Sequence, residues 1–290
     1  MKILTDDELK ELKQQELKLF KEIRSVFDEN GIRFFALHGT LLGTIRHNGF
    51  IPWDDDIDLG IPRPDYDFLL ENFSKLFPSN IGLITPDTKH YEVMFAKIHN
   101  KNTTYVEVGK GRRFDRYTGV FIDIFPIDGA PNNEKEQEKY KRKYQKYLFL
   151  NYKNRFDHND VTETRAKLLH ILFAPMRALL PYDYFYKKYK KEIYRFSYKN
   201  SKCVTYPSVI FNYNYIFDKE LFEHLVKHPF EDTWINIPSG YEHILTQVYG
   251  DFMKLPPKEK RIPHHYVDYI SFTMPYEEYI KKSRRGKPDA

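Results

Sequence analysis

The chain has 290 residues, 41% apolar and 17% aromatic, with 46 Lys and Arg against 41 Asp and Glu for a net charge of +5. That length suits one core with a sizeable insertion, and the apolar share excludes extended disorder. The single cysteine, Cys203, excludes disulfides within the monomer and Cys-rich zinc modules, and with no base placed beside it reads as a small buried residue.

The opening run MKILTDDELKELKQQELKLF holds no apolar segment of signal-peptide length. Thr5 and Glu8 form a capping box, and Leu9, Leu12, Leu19, Ile23, Val26 and Phe27 follow at helical spacing until Asn30–Gly31 stops the helix. IRFFALHG reads as a buried strand. GTLLGTIRHNG reads as a turn into a short helix closed by Asn48 and Gly49, and DIDLGIP as a second strand closed by Pro62 and Pro64. A helix is expected over roughly residues 65–77. Residues 81–126 look strand-rich, with YEVMFAKIH, TTYVEV and TGVFIDIFPIDG as candidates, and residues 133–200 look helical in two or three pieces. The longest apolar block, LLHILFAPMRALL at 168–180, contains Pro175 and Arg177 and is too short to cross a bilayer. A cytoplasmic protein able to touch a membrane is therefore expected. SGYEHILTQVYG is a further helix stopped by Gly250, and the basic tail KKSRRGKPDA is expected to fray.

Early alternation of strands and helices followed by a helical block predicts an α+β fold with α/β character. It would be a mixed sheet with helices packed on it and a helical insertion. The expected divisions are a core over 1–131, an insertion over 132–200 and a C-terminal part over 201–290 that completes the site. Charge follows these divisions: residues 135–199 hold 17 Lys and Arg against 7 Asp and Glu, so the rest of the chain is net acidic. A basic segment beside an acidic half points to an anionic partner.

Four aspartates, Asp54, Asp55, Asp56 and Asp58, run straight into an apolar segment. Residues two apart share one face of a strand, so Asp56 and Asp58 would project side by side. Two like charges about 4 Å apart repel by on the order of 4 kcal/mol at an effective dielectric near 20. A fold offsets that by protonating one acid, supplying Lys or Arg, or binding a divalent cation; a solvated acidic turn after Pro52 and Trp53 is the plainer reading. Two neighbours favour the cation. Upstream, HGTLLGT is a small-residue turn opening a helix, whose free N–H groups suit phosphate. Downstream, GVFIDIFPID sets Asp123 among Val120, Phe121, Ile122, Ile124 and Phe125, where a lone carboxylate needs a partner, through either a metal or a buried salt bridge. Hard cations such as Mg²⁺ take such oxygen ligands together with substrate phosphates.

The run HGTLLGTIRHNGFIPWDDDIDLGIPR closely resembles the signature of the LicD family, whose bacterial members are phosphocholine transferases and whose distant animal relatives include fukutin-related protein. The resemblance implies a nucleotidyltransferase-type sheet core with a G-[GS] turn, a D-x-D pair and a third acid. Here these are Gly39–Thr40, Asp56–x–Asp58 and Asp123, with Thr40 where the wider superfamily often has Ser. It continues in MFAKIHNKNTTYVE and YGDFMKLPPKEKRIPHH, covering roughly residues 30–130 and 239–265. It implies transfer of a phospho-alcohol from a CDP-activated donor (CDP-choline favoured) to a sugar hydroxyl, releasing CMP. Mg²⁺ or Mn²⁺, two ions, would be held by Asp56, Asp58 and Asp123, with the first two bridging. Asp123 would also take the acceptor's proton.

Gly39 and Thr40 are candidates for holding the donor. Arg46 could reach phosphate or pair with Asp54, and Lys97, inside the apolar MFAKI, needs a phosphate or an internal acid. His264 and His265 read as loop surface residues that the resemblance promotes to ligands. A choline group would need aromatic faces, for which Trp53, Phe50 and the tyrosines of the insertion are candidates beside ordinary core packing.

The segments KYKRKYQKYLFLNYKNRF and PYDYFYKKYKKEIYRFSYKN interleave cations with aromatics. They suit an anionic, lipid-linked glycan acceptor (a teichoic acid or lipopolysaccharide precursor) or the inner leaflet of the plasma membrane better than nucleic acid. An amphipathic bundle whose Lys stems cover apolar surface is the plain alternative. The rival functions are transfer of a nucleoside monophosphate onto an alcohol or phosphate, and a non-catalytic basic protein that binds glycan or nucleic acid.

Overall fold

A computed structural model of the chain describes residues 3–88, 91, 93–107, 116–155, 164–207, 215–263 and 267–285. Helix α1 (Asp6–Glu29) opens on the expected capping box. Thr5 Oγ1 accepts from the Glu8 N–H at 3.3 Å, and the Glu8 carboxylate accepts from the Thr5 N–H at 3.0 Å. Its 3.6-residue period buries Leu12, Leu19, Phe20, Ile23 and Phe27.

The next elements are β1 (Phe35–Ala36), α2 (His38–His47), β2 (Asp58–Pro62), α3 (Arg63–Leu76), β3 (Ile81–Ile84), β4 (Ala96–Asn100), β5 (Thr104–Glu107), β6 (Arg116–Thr118) and β7 (Phe121–Ala130). The main sheet has the order β1-β2-β7-β4-β3. Its β2–β7 pair is parallel and its other pairs are antiparallel, so the sheet is mixed, as expected. IRFFALHG yields a shorter strand than expected because His38 takes φ 45°, in the left-handed region, and turns the chain directly into α2. In YEVMFAKIH the strand begins only at Ala96.

All ten residues of β7 are buried. Its first half lies at the centre of the main sheet, and its second half pairs with β8 (Cys203–Thr205), which pairs with β9 (Phe217–Asp218). Between β7 and β8 come α4 (Glu134–Arg155), α5 (Thr164–Leu179) and α6 (Tyr184–Ile193). The chain then forms the hairpin β10 (Leu225–Phe230) and β11 (Thr233–Pro238), helix α7 (Tyr241–Tyr249), β12 (Val267–Ser271) against β5, and α8 (Tyr276–Arg285). The fold is α+β.

The helical block has its own apolar cluster, built from Tyr140, Tyr144, Leu148, Tyr186, Tyr189 and Ile193. A buried ion pair ties α3 to β7, and the helical block meets it through Tyr194. Arg63, at the start of α3, donates through Nε to Asp128 Oδ1 at 2.6 Å and through Nη2 to Oδ2 at 2.9 Å. Its guanidinium lies between the rings of Tyr66 and Tyr194, 4.8 and 4.9 Å from their centroids. Asp128 is buried on β7, and Tyr194 follows α6 and donates to Asp67 at 2.9 Å. Removing one partner of a buried pair strands the other's charge. Arg63→Ala is therefore expected to lower unfolding free energy by about 3–5 kcal/mol in urea denaturation, far beyond the effect of a surface substitution.

Candidate active site

The strand register assembles the site. The parallel pairing places Asp58 opposite Asp123, and the antiparallel pairing on the other side of β7 places Asp123 opposite Lys97. Asp56 precedes Asp58 by two positions, and carboxylate oxygens of Asp56, Asp58 and Asp123 all lie within 4.8 Å of one another. Asp54, Asp55 and Asp56 form a second such group.

The backbone around Asp58 is held from both sides. Its N–H donates to Thr40 Oγ1 at 2.8 Å, and its carbonyl accepts from the Leu37 N–H at 3.0 Å. Asp123 donates its own N–H to the Ile57 carbonyl at 2.9 Å. Thr40 is itself fixed, its carbonyl accepting from Thr44 Oγ1 at 2.7 Å. Lys13 on α1 caps the preceding turn through the Ile51 and Pro52 carbonyls, at 3.0 and 2.9 Å.

The acids border a cavity of about 760 Å³. One wall is sheet and helix, with Gly39, Arg46, Phe95 and Phe125; the other is the irregular segment after α7, with Phe252, Lys254 and Lys260. Phe95 and Phe125 stack at 4.2 Å. A Cβ at Gly39 would press on the Asp54 carboxylate, so a larger residue there would require that side chain to shift.

Charge is concentrated here. Burial, and then Asp56, Asp123 and Asp54, raise the Asp58 carboxyl well above the carboxylate range, while Lys97 acts in the opposite sense. Glu16, buried on α1, is raised by burial and then by Asp56 and Asp55. Burial holds His38 at about 4, so it is neutral at pH 7, its ring edge-on to Phe125 and Tyr206 at 4.9 Å. A set of hard carboxylate oxygens at this spacing, only partly balanced by Lys97, has the chemistry a divalent cation such as Mg²⁺ or Mn²⁺ requires.

Asp56, Asp58 and Asp123 converge as expected, and Gly39, Arg46 and Trp53 face the cavity. Thr40 stands behind the wall, its hydroxyl engaged by the Asp58 N–H. Lys97 takes the internal acid: its Nζ is 2.8 Å from Asp123 Oδ1 and 3.3 Å from the Phe121 ring centroid. Arg46 donates to His47 Nε2 and to the Phe252 carbonyl, both at 3.0 Å, joining α2 to the opposite wall. Trp53 meets His47 edge-on and lies under Arg261. Phe50 packs on Phe230 in the core. His264 and His265 lie outside the described residues.

Sequence reasoning missed His38, Phe95, Lys254 and Lys260. It also missed Phe125 as a wall, although its two-residue offset from Asp123 on a strand puts both on one face.

Thr40→Val leaves the buried Asp58 N–H without its acceptor. A loss of about 1–3 kcal/mol is expected in chemical denaturation, with Thr40→Ser close to wild type. Asp58 binds its proton more tightly folded than unfolded. The ionised cluster therefore costs stability above the folded-state pKa, and that cost fades as pH falls through it. With chelator present, Asp58→Asn is expected to raise Tm over wild type at pH 8, and the gap is expected to close on acidification.

The family model described as LicD/FKTN/FKRP, nucleotidyltransferase domain, matches residues 31–183, a span that contains the acid row. The chain is 33% identical over 240 residues to lipopolysaccharide cholinephosphotransferase LicD of Haemophilus influenzae, covering 78% of this chain and 84% of that one. It is 35% identical over 139 residues to the uncharacterized protein RT0683 of Rickettsia typhi, covering 45% and 42%. Over 40 residues it is 48% identical to ribitol 5-phosphate transferase FKRP of Homo sapiens, covering 14% of this chain and 8% of that one. With the fold, the acid row and the length of these matches in agreement, the chain belongs to the LicD family.

Proposed function

We propose that this protein transfers a phospho-alcohol, phosphocholine in the first place, from a CDP-alcohol to a sugar hydroxyl of a cell-surface glycan precursor, releasing CMP. The acceptor would be a teichoic acid or lipopolysaccharide intermediate. The observation that carries this reading is the row of Asp56, Asp58 and Asp123 at the edge of a cavity large enough for a nucleotide diphosphate. The relative covered over most of its length is named for choline phosphate transfer to lipopolysaccharide, and a more distant one for ribitol phosphate transfer.

Asp56, Asp58 and Asp123 would together hold Mg²⁺ or Mn²⁺, as a pair of ions. Such ions supply charge neutralisation at the pyrophosphate and acidify a bound hydroxyl. The chain's own groups do the rest. Helix α2 begins at the cavity beside Gly39, and its N-terminal dipole would favour an anion bound there. Arg46, Lys254 and Lys260 line the same cavity and would hold the donor phosphates. Lys97 fixes the Asp123 carboxylate from behind and offsets part of the acid row's charge. Asp123 would take the acceptor's hydroxyl proton. Phe95, Phe125 and Trp53 present aromatic faces of the kind that hold a quaternary ammonium, which favours choline over a polyol.

Incubation with CDP-choline, CDP-ethanolamine, CDP-glycerol and CDP-ribitol, with Mg²⁺ or Mn²⁺, is expected to release CMP fastest from CDP-choline and not at all with chelator. Asp56→Asn and Asp123→Asn are expected to lower kcat about a thousandfold while remaining folded. Absence of CMP from every CDP-alcohol would overturn the reading; pyrophosphate release from CTP would replace it with nucleotidyl transfer.

A further inference from the structure

Helix α5 presents an unusual surface. Ile171, Leu172 and Leu179 are 68%, 69% and 80% exposed, against a core whose apolar side chains are below 9%. At 100° per residue these three, with the exposed Pro175 and Ala178, fall on one arc of the helix. The opposite arc carries Phe173, which meets Phe149 of α4 edge-on at 6.1 Å. The helix is thus amphipathic in an inverted sense, with one apolar side seated on α4 and a second left outward. Burial of such a face is the ordinary outcome for a helix this apolar, so an outward apolar arc marks a surface that something covers.

The surroundings select the occupant. On α4, Lys135, Lys139, Arg142 and Lys146 are exposed or nearly so and make no ion pair among the described residues. Lys146 lies one turn before Phe149, at the contact with α5. At the same junction Lys153 and Arg177 bring like charges together: burial, and then Arg177, draw Lys153 below its ordinary value. At 100° per residue Lys139, Arg142 and Lys146 fall on the same side of α4 as Phe149, which meets α5, so a cationic face adjoins the outward apolar helix and fits a surface that is anionic at its boundary and apolar beneath. No described helix is long and apolar enough to cross a membrane. With its 16 residues and the internal Pro175, α5 has the length of an interfacial helix.

We propose that the outward face of α5 docks on an anionic lipid bilayer, lying in the headgroup region with Ile171, Leu172 and Leu179 immersed and the cations of α4 against the lipid phosphates. This goes beyond the transferase reading and does not depend on it, because none of these residues lines the acid-bordered cavity.

The test is flotation of the purified full chain with vesicles of phosphatidylcholine alone and of phosphatidylcholine mixed with phosphatidylglycerol. Flotation is expected with the mixed vesicles only, weakening with added salt. Leu172→Asp/Leu179→Asp is expected to reduce binding at least about tenfold, since immersed apolar area and charge attraction set interfacial affinity. Leu179→Trp is expected to tighten it. Both variants alter exposed positions, so thermal melting and CMP release from a soluble donor are expected to match wild type. Three results would overturn the proposal: no flotation with mixed vesicles, binding unchanged in the double variant, or light scattering that shows a dimer broken by the double variant, which would make the occupant a second copy of the chain.

Discussion

One row across three strands governs the site. Lys97, Asp123 and Asp58 lie side by side on β4, β7 and β2, held there by ladder hydrogen bonds. The other face of the same strands carries Leu59, Ile61, Ile98, Ile122 and Ile124, each fully buried. A slip of one residue would carry these apolar side chains out of the core and the acids into it. The hydrophobic core therefore fixes the register, and the register forces like charges together. Repulsion among the acids is tolerated because the backbone has no other low-energy pairing. This is how a stable sheet comes to hold an unstable concentration of negative charge.

Part of this was legible in the sequence. The parity of Asp56 and Asp58 and the apolar setting of Asp123 were enough to predict convergence, because strand periodicity is a local property. Partner choice is not local. Lys97 had a phosphate and a carboxylate as equal candidates, and only the β4–β7 register selects Asp123. Thr40 read as a phosphate contact, yet its hydroxyl serves the Asp58 N–H eighteen residues away in sequence. The strands β8 and β9, three and two residues long, are too short to show a period. The segment after α7, more than a hundred residues from the acids, is marked by the resemblance in YGDFMKLPPKEKRIPHH as completing the site, but its composition does not show that Phe252, Lys254 and Lys260 are the side chains that face the cavity.

The basic, Tyr-rich stretch also resolves into physics that its composition left open. Its tyrosines are largely interior: Tyr140, Tyr144, Tyr186 and Tyr189 build a cluster between α4 and α6, and burial raises the phenols of Tyr140, Tyr144 and Tyr189. Many of its cations remain outside, Lys135, Lys139, Arg142 and Lys146 among them. The alternation of Lys with Tyr is thus the signature of an amphipathic helix pair, which meets the Arg63–Asp128 pair through Tyr194. The aromatic residues that line the cavity, Trp53, Phe95, Phe125, Tyr249 and Phe252, come instead from outside this stretch.

Gly39 sets a limit on how this protein can diverge. A Cβ there would press on the buried Asp54 carboxylate, so any added side chain would have to displace one of the acids at that end of the cavity. The strands below it are pinned by the core, and the acids by the strands. Only the facing wall, irregular chain around Phe252 to Lys260, is unconstrained by a ladder. Evolution of a new head-group preference would therefore be written there, by insertions and exchanges that leave the sheet untouched.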